Sequence, residues 1–290
     1  MEKKIAMRVS LVSIIVNMAL SLLKLIAGIV ASSGATISDA VHSASDVFST
    51  VIVMIGVQMS AKKSDRDHQY GHERLECVAS IVLAVVLCIT GFGIGYKGLM
   101  TILDGHYEEL PIPGILALAA AILSIAVKEW MFWYTRAAAK KINSGALMAD
   151  AWHHRSDSLS SVGALFGIFA SRIGYPVFDS VASVVISIFI MKAAYDIFKD
   201  AVDKMVDKAC DDETIYKMRQ VIESQSGVLG IDVLRTRLFG NKIYVDIEIA
   251  ADGNRTLNET HAIAECVHHK IEKNFPDVKH CMVHVNPYRA

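Results

Sequence analysis

The chain has 290 residues, 53% of them hydrophobic, and its 29 basic residues nearly balance 30 acidic ones for a net charge of −1. That balance excludes a globally basic, nucleic-acid-binding surface, and a mean hydropathy of +0.38 with long uncharged runs excludes a single soluble core, placing the chain among membrane proteins. Its five cysteines (Cys77, Cys88, Cys210, Cys266 and Cys281) show no CxxC spacing, which argues against a disulfide framework or a zinc ribbon.

Six stretches, roughly 5–31, 35–59, 77–103, 112–134, 145–171 and 177–198, are long enough to cross a hydrocarbon core, which takes about 20 helical residues. The first opens like a signal peptide, but its apolar run continues without an AxA-like cleavage site, so a retained span is expected. Basic residues cluster at alternate ends: Lys3, Lys4 and Arg8; Lys62, Lys63, Arg66 and Arg74; Arg136, Lys140 and Lys141; Lys199, Lys204 and Lys208. The intervening loops are SSGA, the acidic DGHYEELPIP and RIGYP, so the positive-inside rule predicts both termini in the cytoplasm.

After Lys199 the chain turns mixed and polar, which sets an expected division into residues 1–200, a six-span membrane domain, and 201–290, a small cytoplasmic domain. DDETIYKMRQVIESQ reads as a helix, and LGIDVLRTRL and KIYVDIEIA read as strands of a hairpin turning at Gly240 and Asn241. A second helix over about 257–274 and a strand at HCMVHV complete an αββαβ order, a two-layer α+β domain.

Ionisable groups inside a span are costly and call for a partner, a cavity or a pathway. Span two carries His42 and Asp46, and span five, in ADAWHHRSDSLSS, carries His153 and Asp157, so one HxxxD spacing occurs twice. Residues four apart share a helix face, and two such faces turned together supply two imidazole nitrogens and two carboxylates, a tetrahedral set for zinc or a similar divalent ion. The competing reading has each histidine bonding its own aspartate as intrahelical glue, which the repetition disfavours. His154 can also reach the face of Asp157, although matched spacing favours His153. Asp39 and Asp150, each three residues before an HxxxD histidine, either attract cations or simply cap and hydrogen-bond. Lys24, Lys97 and Lys128 are expected to snorkel to the interface, and Asn17 and Asp179 either to line an aqueous route or, the favoured reading, to hydrogen-bond between helices.

These features resemble the cation diffusion facilitator family: six spans, HxxxD in spans two and five, NMALSLLKLIAG in span one, YGHERLE after span two and an αββαβ tail, together covering essentially the whole chain. The resemblance, of the zinc-efflux type, implies that His42, Asp46, His153 and Asp157 bind the transported ion while protons move the other way. It implies a loop metal site at Asp65, His68 and His72, which alone read as a solvated loop, and an inter-domain salt bridge between Arg74 and Asp207. It further implies a ferredoxin-like cytoplasmic tail that dimerises two protomers and senses metal through Asp232, Glu248, His261, His284 and Asn286. Acidic or amide groups stand at three of these five positions, a departure from the His-rich pattern that opens a weaker, a mononuclear or a harder-ion site.

The expectation is therefore a homodimeric, multi-pass protein of the plasma membrane, with no nucleic-acid partner, that exports a divalent metal. Zn2+, transported and regulatory, suits the donor set, with cadmium, iron, cobalt, nickel or manganese as alternatives and protons as counter-ion. The rival from another class is a membrane metal sensor or scaffold that binds ions through its tail without moving them. An enzyme is disfavoured: GHERLE lacks the second histidine of HExxH, and neither a serine-nucleophile motif nor a phosphate-cradling glycine loop occurs.

Overall fold

The computed structural model describes residues 2–30, 34–104, 115–172 and 177–288. Six long helices come first: α1 (Glu2–Val30), α2 (Gly34–Ser60), α3 (Leu75–Asp104), α4 (Ile115–Lys141), α5 (Gly145–Arg172) and α6 (Val177–Met205). At 27 to 30 residues, each exceeds the length that a hydrocarbon core requires. By length and apolar content alone, Lys3–Ala27 and Leu75–Asp104 qualify as membrane spans among the described residues. Helices α2 and α5 carry the polar groups Asp46, Asp150, His153, His154 and Asp157.

Burial runs opposite to that of a soluble protein. Ile89, Phe92 and Leu103 on α3 and Ile188 and Phe189 on α6 face outward, each more than 60% exposed, whereas Asn17, Lys24, Asp46, Lys128, Asp150, His153 and His154 are buried. Such a surface suits an apolar surrounding such as lipid, where helices also satisfy their backbone groups internally. The helices meet through small side chains: Ala79 and Ala84 on α3, Ala139 on α4, Ala146 and Ala149 on α5, and Ala193 and Ala194 on α6 pack around Val53, Leu83, Leu87 and Leu147. At Gly95 a Cβ would run into the Ser187 hydroxyl, so α3 and α6 approach as closely as they do because that position has no side chain. Helix α2 packs on α1, α3 and α5, which places its polar face against that of α5.

Contacts divide the chain into two compact units, Met1–Ala201 and Val202–Ala290. The second contains α7 (Asp212–Glu223), β1 (Gly230–Phe239), β2 (Lys242–Ala251), α8 (Leu257–Asn274) and β3 (Val278–Pro287). Strands β1 and β2 form a hairpin with Phe239 opposite Lys242, leaving Gly240, at φ 64°, and Asn241 as the turn. Strand β3 joins β2 in parallel after the α8 crossover, giving a mixed sheet of order β1-β2-β3. Met218 and Ile222 of α7 and Ile263, Val267 and Ile271 of α8 cover Val245, Ile247 and Ile249 of β2. Asp211 caps α7 by accepting from the Thr214 amide, and Thr256 with Glu259 forms a capping box on α8.

Ile247 is 1% exposed at the centre of this layer, so Ile247→Ala should cost about 2–5 kcal/mol. Hydrogen exchange on the full-length protein should then show faster exchange of α8 and β2 amides, with α3 amides unchanged.

Candidate metal centre

Asp46 reaches the middle of the helical unit from α2, and His153 and Asp157 reach it from one face of α5. Their ligating atoms lie within 4.8 Å of one another, with His153 Nε2 3.5 Å from Asp46 Oδ1. Side chains of Asp46, His153 and Asp157 are 2%, 8% and 8% exposed, so the three donors are withdrawn from solvent. The fourth residue of the doubled motif, His42, belongs to α2, and its side chain lies outside the described residues, as do those of Asp39 and Asp179.

Of the two adjacent histidines, His153 is the one that stands with the aspartates. His154 is turned to Asp150, with Nε2 3.6 Å from Oδ2, and Thr50 of α2 donates to Asp150 Oδ1 at 3.2 Å. Asp150 therefore acts as a bonding group between α2 and α5 in this structure. The expected snorkelling of lysines fails at two positions. Lys24 is buried and donates to Ser43 Oγ at 2.8 Å, and Lys128 of α4 is buried against Asp46 Oδ2 at 2.5 Å and Asp157 Oδ2 at 3.1 Å. Both are buried inside the helical unit, Lys24 on a hydroxyl and Lys128 drawn inward by two buried carboxylates. Asn17 is also buried, yet its amide makes no hydrogen bond among the described residues, contrary to the expected interhelical role.

The loop between α2 and α3 gathers Asp65, His68 and His72, again with ligating atoms within 4.8 Å. Asp65 Oδ1 accepts from the His68 amide at 2.8 Å and the Asp67 amide at 3.2 Å, which folds the loop back so that His68 Nδ1 stands 3.2 Å from Oδ1 and His72 Nε2 3.4 Å from Oδ2. Lys62 donates to Oδ2 at 2.6 Å. The Lys62 contact first, then the His68 amide, hold the Asp65 carboxyl well below the usual carboxylate range.

In the second unit, Asp232 falls at an irregularity between Ile231 and Val233, and the Asn286 amide donates to Asp232 Oδ2 at 2.9 Å and Glu248 Oε2 at 3.3 Å. Glu248 is opposite His284 in register. His261, paired with Glu265 at 3.5 Å, lines a cleft of about 480 Å³ together with His284 and Asn286. The five tail positions thus split into an acidic cluster bridged by Asn286 and a two-histidine cleft. A further trio on α8, His268, His269 and Glu272, brings ligating atoms within 4.8 Å, with His268 Nδ1 bonded to the Cys281 carbonyl at 2.8 Å. Its sequence signal is a histidine pair followed by Glu272 one helical turn later. Arg74 and Asp207 belong to separate units, and Asp207 pairs within its own with Arg237 at 4.0 Å.

Outward apolar faces around a buried cluster of aspartate and histidine are the features of an integral membrane protein with groups able to hold a cation. Residues 10–206 match the family model of the cation efflux transmembrane domain, and residues 210–288 that of the cation efflux protein cytoplasmic domain. The chain is 34% identical over 276 residues to an uncharacterized transporter of Methanocaldococcus jannaschii, covering 95% of this chain and 96% of that protein. It is 30% identical to the manganese efflux system protein MneP of Bacillus subtilis, over 99% of this chain and 98% of that one. Metal tolerance protein C1 of Arabidopsis thaliana is 32% identical over 93% of this chain, which spans 60% of the plant protein's length. The chain belongs to the cation efflux, or cation diffusion facilitator, family of membrane metal transporters.

Because Asp65 has a depressed pKa, its contribution to the loop is present above the unfolded carboxylate value of about 3.9 and is lost as pH falls through the lower folded value. Carbon-13 NMR of labelled aspartate should show Asp65 remaining ionised at pH 4, and Lys62→Met should move its titration upward.

Proposed function

We propose that this protein is a divalent metal efflux transporter that binds its ion at a tetrahedral site of His42, Asp46, His153 and Asp157. The observation that carries the reading is the convergence of Asp46, His153 and Asp157 from two helices into one buried cluster. In this reading α1–α6 are six membrane spans with both termini in the cytoplasm, and the protein resides in the plasma membrane. Alternating access exposes the site first to the cytoplasm and then to the outside.

Two imidazole nitrogens and two carboxylates suit zinc, with cadmium, iron, cobalt, nickel and manganese as competitors. The relative named for manganese efflux makes manganese the first of these to test. Histidine binds metal only when neutral, so metal entry displaces any proton held there and a higher external proton concentration promotes release. That exchange makes protons the counter-ion.

The tail, ferredoxin-like in this reading, joins two protomers into a homodimer and senses excess metal. His261 and His284 are its principal ligands, and Asp232, Glu248 and Asn286 supply oxygen donors. Asp65, His68 and His72 form a loop metal site, and an Arg74–Asp207 salt bridge links the membrane and cytoplasmic domains.

In proteoliposomes loaded with a metal-sensitive dye, Asp157→Ala should abolish uptake of Zn2+ and Mn2+; wild-type flux would remove the assignment. Competition among divalent metals in the same assay identifies the substrate. His261→Ala combined with His284→Ala should leave residual transport but blunt its rise with cytoplasmic-side metal.

A further inference from the structure

Lys128 lies on α4, a helix that carries neither HxxxD motif, and its ammonium nevertheless bridges one carboxylate from each. Nζ is 2.5 Å from Asp46 Oδ2 and 3.1 Å from Asp157 Oδ2, and the side chain is 3% exposed. The other oxygen of Asp46 is turned to His153 Nε2 at 3.5 Å, so the lysine and the histidine share one carboxylate. A cation held at these distances from both carboxylates occupies coordination positions that a metal ion bound by Asp46 and Asp157 would need.

We propose that Lys128 is a tethered counter-cation of the transport site, paired with Asp46 and Asp157 when the site is unloaded and withdrawn when a divalent ion takes its place. This rests on the reading of Asp46, His153 and Asp157 as the transport site. Charge gives the lysine its effect. Two buried carboxylates without a partner are strongly disfavoured, and one ammonium offsets half of that charge, so Lys128 stabilises the empty site. Once a divalent ion neutralises both carboxylates, the same ammonium is left beside a cation and destabilises the loaded site. Lys128 therefore lowers affinity and eases release. Lysine suits this role because its charge is a compact head on a flexible four-carbon stem that can swing aside, whereas a planar guanidinium favours a fixed two-pronged pairing.

A purely structural cross-link between α4 and the other two helices would look the same in one conformation, and the two roles separate on metal dependence. Full-length wild type, Lys128→Met, Lys128→Arg and Asp157→Ala would be compared in proteoliposomes, with Zn2+ and Mn2+ as probes. Lys128→Met should lower the half-saturating metal concentration by on the order of tenfold or more, as expected for removing one close positive charge, while Lys128→Arg stays nearer wild type. In detergent, added Zn2+ should raise the melting temperature of Lys128→Met by more than that of wild type, because the ion replaces the missing counter-charge. Recovery of folded Lys128→Met only when metal is present would support the same conclusion. An unchanged or higher half-saturating concentration, equal stabilisation of both proteins by Zn2+, or a Lys128→Met protein unfolded with and without metal would overturn it. Wild-type transport by Asp157→Ala would instead remove the transport site itself, so the two failures are distinguishable.

Discussion

Two carboxylates from different helices, Asp46 of α2 and Asp157 of α5, are held close together in the interior of a helical unit whose outside is apolar. Each ionised group at such a depth costs about 2.5–3.5 kcal/mol on insertion scales, so the pair requires positive charge nearby. That requirement orders the surroundings. His153 arrives on the same helix face as Asp157, Lys128 arrives from α4, and small residues let the helices come close enough for these groups to meet. The inverted burial of the unit follows from the same division, with polar groups gathered inside and Ile89, Phe92, Ile188 and Phe189 left facing outward.

Much of this was legible in the sequence because it is periodic. A doubled HxxxD spacing puts two donors on one face of each helix whatever the tertiary packing, and alternation in KIYVDIEIA with a Gly-Asn turn leaves few choices but a hairpin. Matched spacing also pointed to His153 over His154, and the structure turns His154 to Asp150. Lys128 was not legible, since nothing in local periodicity connects a lysine on α4 to carboxylates 82 residues before and 29 residues after it. A charge count over the spans gives the missing clue: two buried aspartates make any mid-span lysine a candidate partner before it is a snorkelling one.

In the second unit the limits were chemical. Asp232, Glu248 and Asn286 come together because β3 pairs with β2 and a bulge in β1 brings Asp232 near Asn286. The amide of Asn286 donates to both carboxylates, so one neutral group moderates the repulsion between two acids. His261 and His284 share a separate cleft with that same asparagine, which makes Asn286 the common member of both groups. The trio of His268, His269 and Glu272 has a local signal in its spacing, but the bond that orients His268, to the Cys281 carbonyl, joins sequence-distant elements and was not legible.

The bond from Thr50 to Asp150 has a mechanical side. Thr50 lies one helical turn beyond Asp46 on α2, and Asp150 one turn before His153 on α5, so the 3.2 Å contact sits beside the cluster of Asp46, His153 and Asp157. A motion that parts Asp46 from Asp157 must break this buried bond or pivot about it. Pivoting preserves the bond and turns small rotations of α2 against α5 into larger displacements farther along the helices. If the bond holds through such a motion, Thr50 and Asp150 are the fulcrum of a lever whose short arm carries Asp46 and His153.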